Sequence, residues 1–349
     1  MADLEIARLG ITAIRLSDLP QEILDQVAEC AMTLERKAVL SMARTCKRLN
    51  KSATRAIYSS INYTERGDLR EAKLRSLVKT LSTKPHLASF VRSIRLLEWV
   101  KTTENFWETG VFGVLPARSI PHVREPVGQF LLGAVPNLRR LELNYPEHCT
   151  FLSRTFAELR ELVVRPEGKR AGRGRRGEPV SFHKREGALD LGFLPQVLRS
   201  PKLRSLEIEA STLMLKRGTG LIVPNSSSIE TITIKGSSSM SLETLRMVLA
   251  APRKLFVFDF EPSDYNLRDS FVPKFSDMVR AIQPHQSCLK VLRLARSSGT
   301  LFPYLDTIDS LRAFTELRSL EVPAFAILGF DHCQHSVVHY LHQEGVCLE

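Results

Sequence analysis

A six-residue pattern that recurs down most of the chain constrains the fold more than any other feature. Apolar residues stand at its first, fourth and sixth positions, with variable residues between them. Apolar residues two positions apart are typical of a strand with one buried face. The pattern predicts eight strands, the last seven of them parallel and in chain order in one sheet. It occurs at 91–96, 138–143, 159–164, 203–208, 229–234, 255–260, 289–294 and 317–322.

The spacing of the pattern indicates a repeated unit. The intervals between its starts at 203, 229, 255, 289 and 317 are 26, 26, 34 and 28 residues. Between these strands, segments 241–251, 271–283 and 303–314 carry apolar residues at helical spacing and are predicted to be helices. Strand and helix alternating at such intervals make up a solenoid, whose units bury their apolar faces against one another. Unrelated amphipathic strands in an α/β domain are the alternative.

The first sixty residues differ from this pattern and predict three short helices packed together. The first begins in the stretch DLPQEILDQVAEC, where Asp18 can cap the helix and Pro20 suits its first turn. Its apolar residues recur at intervals of three and four, which places them on one helical face. That stripe packs either on its own domain or on another protein. The residues are Leu19, Ile23, Leu24, Val27 and Ala31.

Composition excludes several classes of protein. The 349 residues predict about two domains, and no apolar run approaches the roughly 18 residues that a membrane span needs. Six dispersed cysteines without a CxxC pair favour a reducing compartment, and no signal peptide is recognisable, so we expect a cytoplasmic or nuclear location. The net charge of +11 is concentrated in 15–60 and 165–187 rather than along one extended face.

Two stretches near the N-terminus form a recognisable motif, LPQEILDQV (Leu19 to Val27) and VLSMARTCKRLN (Val39 to Asn50). Together they resemble an F-box. In that family a Leu-Pro-x-Glu-Ile/Leu opening precedes an apolar helix, and a second helix carries a cysteine, basic residues and a large apolar residue. The usual Leu-x-Pro step between the helices is missing here, and a leucine stands where an aromatic residue is common. The matching residues of the second helix are Cys46, Lys47, Arg48 and Leu49.

The recurring strands are similar to those of leucine-rich repeats, although they lack the regular Asn or Cys after the strand. An F-box followed by such repeats resembles the substrate receptors of SCF-type ubiquitin ligases. The resemblance implies an α/β fold with a three-helix F-box at 15–60, a linker helix at 61–85 and an irregular leucine-rich-repeat solenoid at 86–349. The parallel sheet would lie on the concave side and the helices on the convex side. A flexible basic insertion is expected at 166–187.

The same resemblance implies a non-catalytic role in the ubiquitin conjugation pathway. A receptor of this kind docks on a Skp-type adaptor, and through it on a cullin, while other subunits transfer ubiquitin to the bound protein target. A leucine-rich-repeat scaffold or a nucleic-acid-associated adaptor without a ligase is the alternative. We predict no catalytic residue, cofactor or metal. The implied adaptor-binding residues are Leu19, Pro20, Ile23, Leu24, Val27, Leu40, Cys46 and Leu49.

In a leucine-rich repeat, the residues that flank the buried strand positions line the concave face. In this chain that row holds seven acids and four bases, which predicts a target segment of basic character. The carboxylates proposed to bind it are Glu142, Glu161, Glu207, Glu209, Asp259 and Glu261. The basic insertion could compete for this row as an internal pseudo-substrate, although a solvated insertion that contacts nothing is the simpler alternative.

Two further motifs need an interpretation. The string GRGRRG at 172–177 matches a dinucleotide-binding fingerprint, but Pro179 follows it and no helical stripe begins there, so a solvated insertion is favoured. A nucleic-acid contact or a nuclear import signal is the alternative for it. The C-terminal His332, His335, His339 and His342, with Cys333 and Cys347, match no known zinc spacing. An ordinary capping helix is favoured there.

Overall fold

The computed structural model describes residues 16–63, 68–96, 127–145, 156–166, 188–210, 212–214, 222–237, 239–262, 273–294, 307–308, 310–323 and 326–327. In these residues the protein combines a large parallel sheet with helices, which confirms the predicted α/β class. The helices are α1 (Gln21–Leu34), α2 (Arg36–Met42), α3 (Lys47–Ser59), α4 (Asp68–Thr83), α5 (Pro85–Ala88), α6 (Val127–Ala134), α7 (Leu194–Val197), α8 (Leu242–Ala250) and α9 (Phe275–Ile282).

The strands include the predicted ones and four more. They are β1 (Ser60–Tyr63), β2 (Ser93–Leu96), β3 (Arg140–Tyr145), β4 (Glu161–Pro166), β5 (Ala188–Asp190), β6 (Ser205–Glu209), β7 (Thr212–Met214), β8 (Thr231–Ser237), β9 (Ser239–Met240), β10 (Val257–Pro262), β11 (Val291–Arg293) and β12 (Ser319–Glu321). Nine of them form one sheet, and the short β5, β7 and β9 form a second sheet.

All pairs in the nine-stranded sheet are parallel, and the strands follow one another in chain order. This confirms the predicted order of the seven later strands. The register aligns the fourth position of every pattern in one row, which is apolar from end to end because each member faces the core. The row is Ile61, Ile94, Leu141, Leu162, Leu206, Ile232, Phe258, Leu292 and Leu320.

The helices pack on the face of the sheet that carries this apolar row. In α8 the buried residues Leu245, Val248 and Leu249 belong to the same core as the strands, and Phe275 and Met278 of α9 join them. Ser241 caps α8 by accepting a 3.0 Å hydrogen bond from the backbone N–H of Thr244. The opposite face of the sheet carries the intermediate residues of the alternating strands and is called the open face below.

The helix predicted for 303–314 does not form in its described residues. Residues 307–308 and 310–314 are turns and irregular chain. The hydroxyl of Ser310 accepts a hydrogen bond from the backbone N–H of Arg312 at 3.3 Å, a local bond that competes with helix formation. Phe314 is buried although it lies beside a turn and not in a helix. The apolar spacing that predicted a helix therefore reflects burial of a non-helical segment.

The N-terminal helices are joined to the sheet without an intervening linker. Helix α3 ends at Ser59 and β1 begins at Ser60, and the carbonyl of Ser59 accepts a 2.9 Å hydrogen bond from the N–H of Arg92. In the segment predicted as a linker helix, β1 occupies the first residues and α4 begins at Asp68. Leu74, Val78 and Leu81 of α4 are buried in the core of the sheet.

Candidate interaction surfaces

Helices α1, α2 and α3 form a small unit with its own core, as the three-helix prediction expected. That core is made of Ala28, Val39, Ala53 and Ala56, with Met32, Met42 and Ile57 packed around it. Three of the four central residues are alanine, which lets the helix axes approach closely. The N-cap position of α1 belongs to Pro20 rather than to Asp18, which lies in a separate short 3-10 turn before it.

A polar contact holds α1 against α3. The carboxylate of Asp25 forms an ion pair with Arg55, and Gln21 donates hydrogen bonds to Asp25 at 3.1 Å and to Ser52 at 2.6 Å. Burial raises the pKa of the Asp25 carboxyl, but the hydrogen bonds from Ser52, Gln21 and Arg55 outweigh it and lower the pKa. The guanidinium of Arg55 also lies 5.4 Å from the ring centroid of Phe90, which ties the helical unit to the sheet.

The residues predicted to bind an adaptor are divided between the surface and the interior. Pro20 and Cys46 are exposed, and Ile23 and Leu40 expose 40% and 43% of their surface. Leu19 and Val27 are half-buried. These apolar side chains are accessible although the unit already has a core. Of the residues predicted to bind an adaptor, they are therefore the ones that a partner can contact.

Leu24 and Leu49 are not available to a partner, which corrects their assignment to the docking surface. Leu24 is fully buried and Leu49 is 6% exposed. The physical reason is the helical period: the inward face of α1 carries Leu24 together with Ala28, while Leu49 begins the inward face of α3 that continues through Ala53 and Ala56. Only part of the five-residue apolar stripe of α1 is therefore exposed, because the stripe also includes residues that face the interior.

On the open face of the sheet, charged residues of opposite sign alternate from strand to strand. Arg95 of β2 donates to Glu142 of β3 at 2.9 Å, and Arg165 of β4 pairs with both Glu142 and Glu209, the latter at 2.6 Å. Further along, Lys235 of β8 lies 3.2 Å from Glu207, and Arg293 of β11 lies 3.4 Å from Glu321. These cross-strand pairs are called the charge ladder below.

Arg165 is the centre of the charge ladder. Its guanidinium contacts three carboxylates, those of Glu142, Glu209 and, at 3.9 Å, Glu207. Burial lowers the pKa of Arg165, but the hydrogen bonds to Glu209 and Glu142 outweigh burial and raise it. Glu142 is only 7% exposed, and ion pairs with the two arginines that flank it offset the cost of burying its carboxylate.

The charge ladder changes the interpretation of the predicted substrate-binding carboxylates. Glu142, Glu161, Glu207 and Glu209 each pair with an arginine or lysine of a neighbouring strand. Their charge is therefore largely balanced within the protein, whereas the sequence analysis proposed that they bind a basic target. The sequence row contained Arg140, Arg165 and Lys235 but gave no sign of this pairing, because the partners lie 21 (Arg140 and Glu161) to 47 (Arg95 and Glu142) residues apart.

The last two predicted carboxylates, Asp259 and Glu261 of β10, form no ion pair within 4.0 Å in the described part of the chain. Burial raises the pKa of the Asp259 carboxyl. Arg293 and Lys235 lower the pKa from a distance, and Glu321 and Glu207 raise it further, so the net change is upwards. Of the six predicted carboxylates, these two retain the most unbalanced charge.

Several predictions fall on residues outside those described. They are the basic insertion with GRGRRG and its pseudo-substrate role, and the C-terminal histidines with Cys333 and Cys347. Among the residues that the structure does describe, no cluster of three or more potential metal ligands is found. No described helix is both long and apolar enough to cross a membrane.

Comparison with known proteins gives no family assignment. No family model matches the chain, and the search of curated proteins finds no relative. Functional inference therefore depends on the surfaces described above.

Proposed function

We propose that this chain is the substrate-recognition subunit of an SCF-type ubiquitin ligase. The N-terminal helices α1–α3 act as the F-box and bind a Skp-type adaptor, which links the chain to a cullin. The sheet and its helices act as an irregular leucine-rich-repeat solenoid that holds a protein target. The chain itself performs no chemistry, since other subunits transfer the ubiquitin.

One observation carries this proposal. Pro20, Ile23 and Leu40 are exposed on a helical unit whose core is already formed by other residues. An apolar surface of this kind costs solvation free energy in the isolated chain, and burying it against a partner recovers about 25 cal/mol per Å2. The parallel, chain-ordered sheet supports the second half of the proposal, because a repeat array is what presents an extended face to a target.

The test is a binding measurement between the full chain and a purified Skp-type adaptor. Replacing both Pro20 and Ile23 by alanine removes exposed apolar surface without touching the core of the helical unit. We expect the dissociation constant to rise about tenfold or more, since about 1.4 kcal/mol corresponds to a factor of ten.

The matched control replaces Met214 and Val223, which are 41% and 52% exposed on the part of the chain that carries the sheet. This double alanine variant removes similar exposed apolar surface and should bind the adaptor as the unchanged chain does. If the unchanged chain fails to bind the adaptor, or if both double variants bind equally well, the proposed function is wrong.

A further inference from the structure

The helical unit carries a second surface next to its exposed apolar residues. Between residues 36 and 51 the chain has six basic residues and no acidic one. All six are exposed, on α2, on the first turns of α3 and between these helices. In the described part of the chain, five of them form no ion pair, namely Arg36, Lys37, Arg44, Lys47 and Lys51. This basic surface consists of Arg36, Lys37, Arg44, Lys47, Arg48 and Lys51.

The basic surface is continuous with the apolar one. A guanidinium nitrogen of Arg48 donates to the backbone carbonyl of Leu19 at 2.7 Å, which places this charge at the start of α1 beside Pro20. On α2, the exposed Leu40 lies one helical turn after Lys37, and Arg44 follows in the turn that leaves this helix. A partner that covers Pro20 and Leu40 therefore also meets the basic side chains around them.

The position of these charges is unfavourable to the helices that carry them. Arg36 and Lys37 occupy the first turn of α2, Lys47 and Arg48 occupy the first turn of α3, and neither turn contains an acid. The N-terminus of a helix has a partial positive charge, so basic residues there lower its stability. Charges that weaken their own helices, with no ion pair to offset most of them, are typical of a surface retained for binding.

We infer that the basic surface binds a carboxylate-rich protein surface on the same partner that receives Pro20, Ile23 and Leu40. This inference rests on the proposed function and specifies the chemistry of the adaptor's contact surface. Carboxylates of the partner close to Lys37, Arg44 and Lys47 would neutralise these side-chain charges. Such long-range attraction acts mainly on the rate of association, and dissolved salt weakens it.

The experiment measures association and dissociation rates of the full chain with a purified Skp-type adaptor at several salt concentrations. In the test variant Lys37→Glu, Arg44→Glu and Lys47→Glu are combined. The control variant combines Arg199→Glu, Lys254→Glu and Lys274→Glu, which change the total charge equally on exposed residues of the sheet-bearing part. A neutral variant with glutamine at 37, 44 and 47 guards against a folding defect caused by charge reversal.

We expect the association rate of the test variant to fall about tenfold or more at low salt, with a smaller fall for the neutral variant and little change for the control. The dissociation rate should change less, and the differences should shrink near 0.5 M salt, where the Debye length is only about 4 Å. Equal association rates for the test and control variants would overturn the inference.

Other outcomes separate this inference from its alternatives. If Pro20→Ala with Ile23→Ala weakens adaptor binding while charge reversal at 37, 44 and 47 does not, the proposed function stands and the inference fails. If neither the unchanged chain nor any variant binds the adaptor, the proposed function and this inference both fail. A short single-stranded RNA is the second probe, and the inference is wrong if the basic residues are needed for RNA binding but not for the adaptor.

Discussion

At the scale of single residues, Arg165 joins three carboxylates of the open face, those of Glu142, Glu207 and Glu209. Replacing Arg165 by alanine leaves the 7% exposed carboxylate of Glu142 with Arg95 as its remaining partner and removes two contacts from β6. Loss of a charged partner from a buried group costs about 1–3 kcal/mol. We expect a decrease of that size in the free energy of unfolding, measured by urea denaturation.

The matched control for this prediction is Arg140→Ala. Arg140 also pairs with a glutamate on the next strand, Glu161 at 3.1 Å, but both side chains are about half exposed. Exposed pairs contribute about 0–1 kcal/mol because water and salt screen them. Equal destabilisation by the two alanine substitutions would show that burial of Glu142 does not make the Arg165 contacts stronger.

The pairing around Arg165 also marks the limit of prediction from sequence at this scale. Alternation along each strand correctly places Glu142, Glu207 and Arg165 on the same face of the sheet, because side-chain direction has a period of two. Alternation does not say which charged residue on one strand meets which on the next. That depends on the register between strands separated by insertions, so the sequence did not show that four of the proposed target-binding carboxylates are paired within the protein.

At the scale of elements, β8 contains a bulge that the repeated pattern does not predict. Opposite β10, Lys235 pairs with Glu261 and Ser237 with Pro262, which leaves Gly236 as the extra residue. Gly236 has a φ of 69°, a conformation that glycine adopts without a steric penalty. The bulge lies where the chain leaves the large sheet for β9 and the small one.

Gly236→Ala tests the role of this bulge. An added Cβ would have no atom within 4 Å, so any cost comes from the backbone conformation alone. That cost is about 1–2 kcal/mol for an alanine in the left-handed region. We expect urea denaturation to show a destabilisation of this size, and Gly236→Asn should recover part of it because asparagine tolerates this conformation better. An unchanged stability of the alanine variant would mean that the bulge relaxes without cost.

The elements that sequence reasoning missed are short. Strand β1 has four residues directly after a helix, and β5, β7 and β9 have two or three residues each. Their sequences are too brief to show a period, and they form only because a neighbouring strand supplies hydrogen bonds. The strands from β2 onwards in the large sheet were predictable because each repeats the same three apolar positions, even where the strand has only three residues, as in β11 and β12. The helix expected at 303–314 rested on an apolar stripe after a proline, without such a repeated pattern.

At the scale of the whole molecule, the helical unit and the sheet share structure across the boundary predicted between them. Strand β1, which continues directly from α3, is the first strand of the nine-stranded sheet. Helix α4 buries Leu74, Val78 and Leu81 in the core of that sheet. The direction of the exposed surface of α1 and α2 is therefore set relative to the open face by hydrogen bonds and packing, which suits a protein proposed to hold two partners at once.

The last prediction concerns where the chain can be divided. A fragment beginning at residue 86 lacks β1 and α4, so the edge of β2 and the apolar residues that α4 covers become exposed. Exposed strand edges and apolar surface favour aggregation, and we expect this fragment to bind a hydrophobic dye strongly and to elute from size exclusion as aggregates. A fragment beginning at residue 60 keeps both elements and loses the helices α1–α3, whose separate core is small. It should elute as a monomer with a cooperative urea transition. If the two fragments behave alike, β1 and α4 are dispensable and the predicted boundary near residue 86 divides the protein correctly.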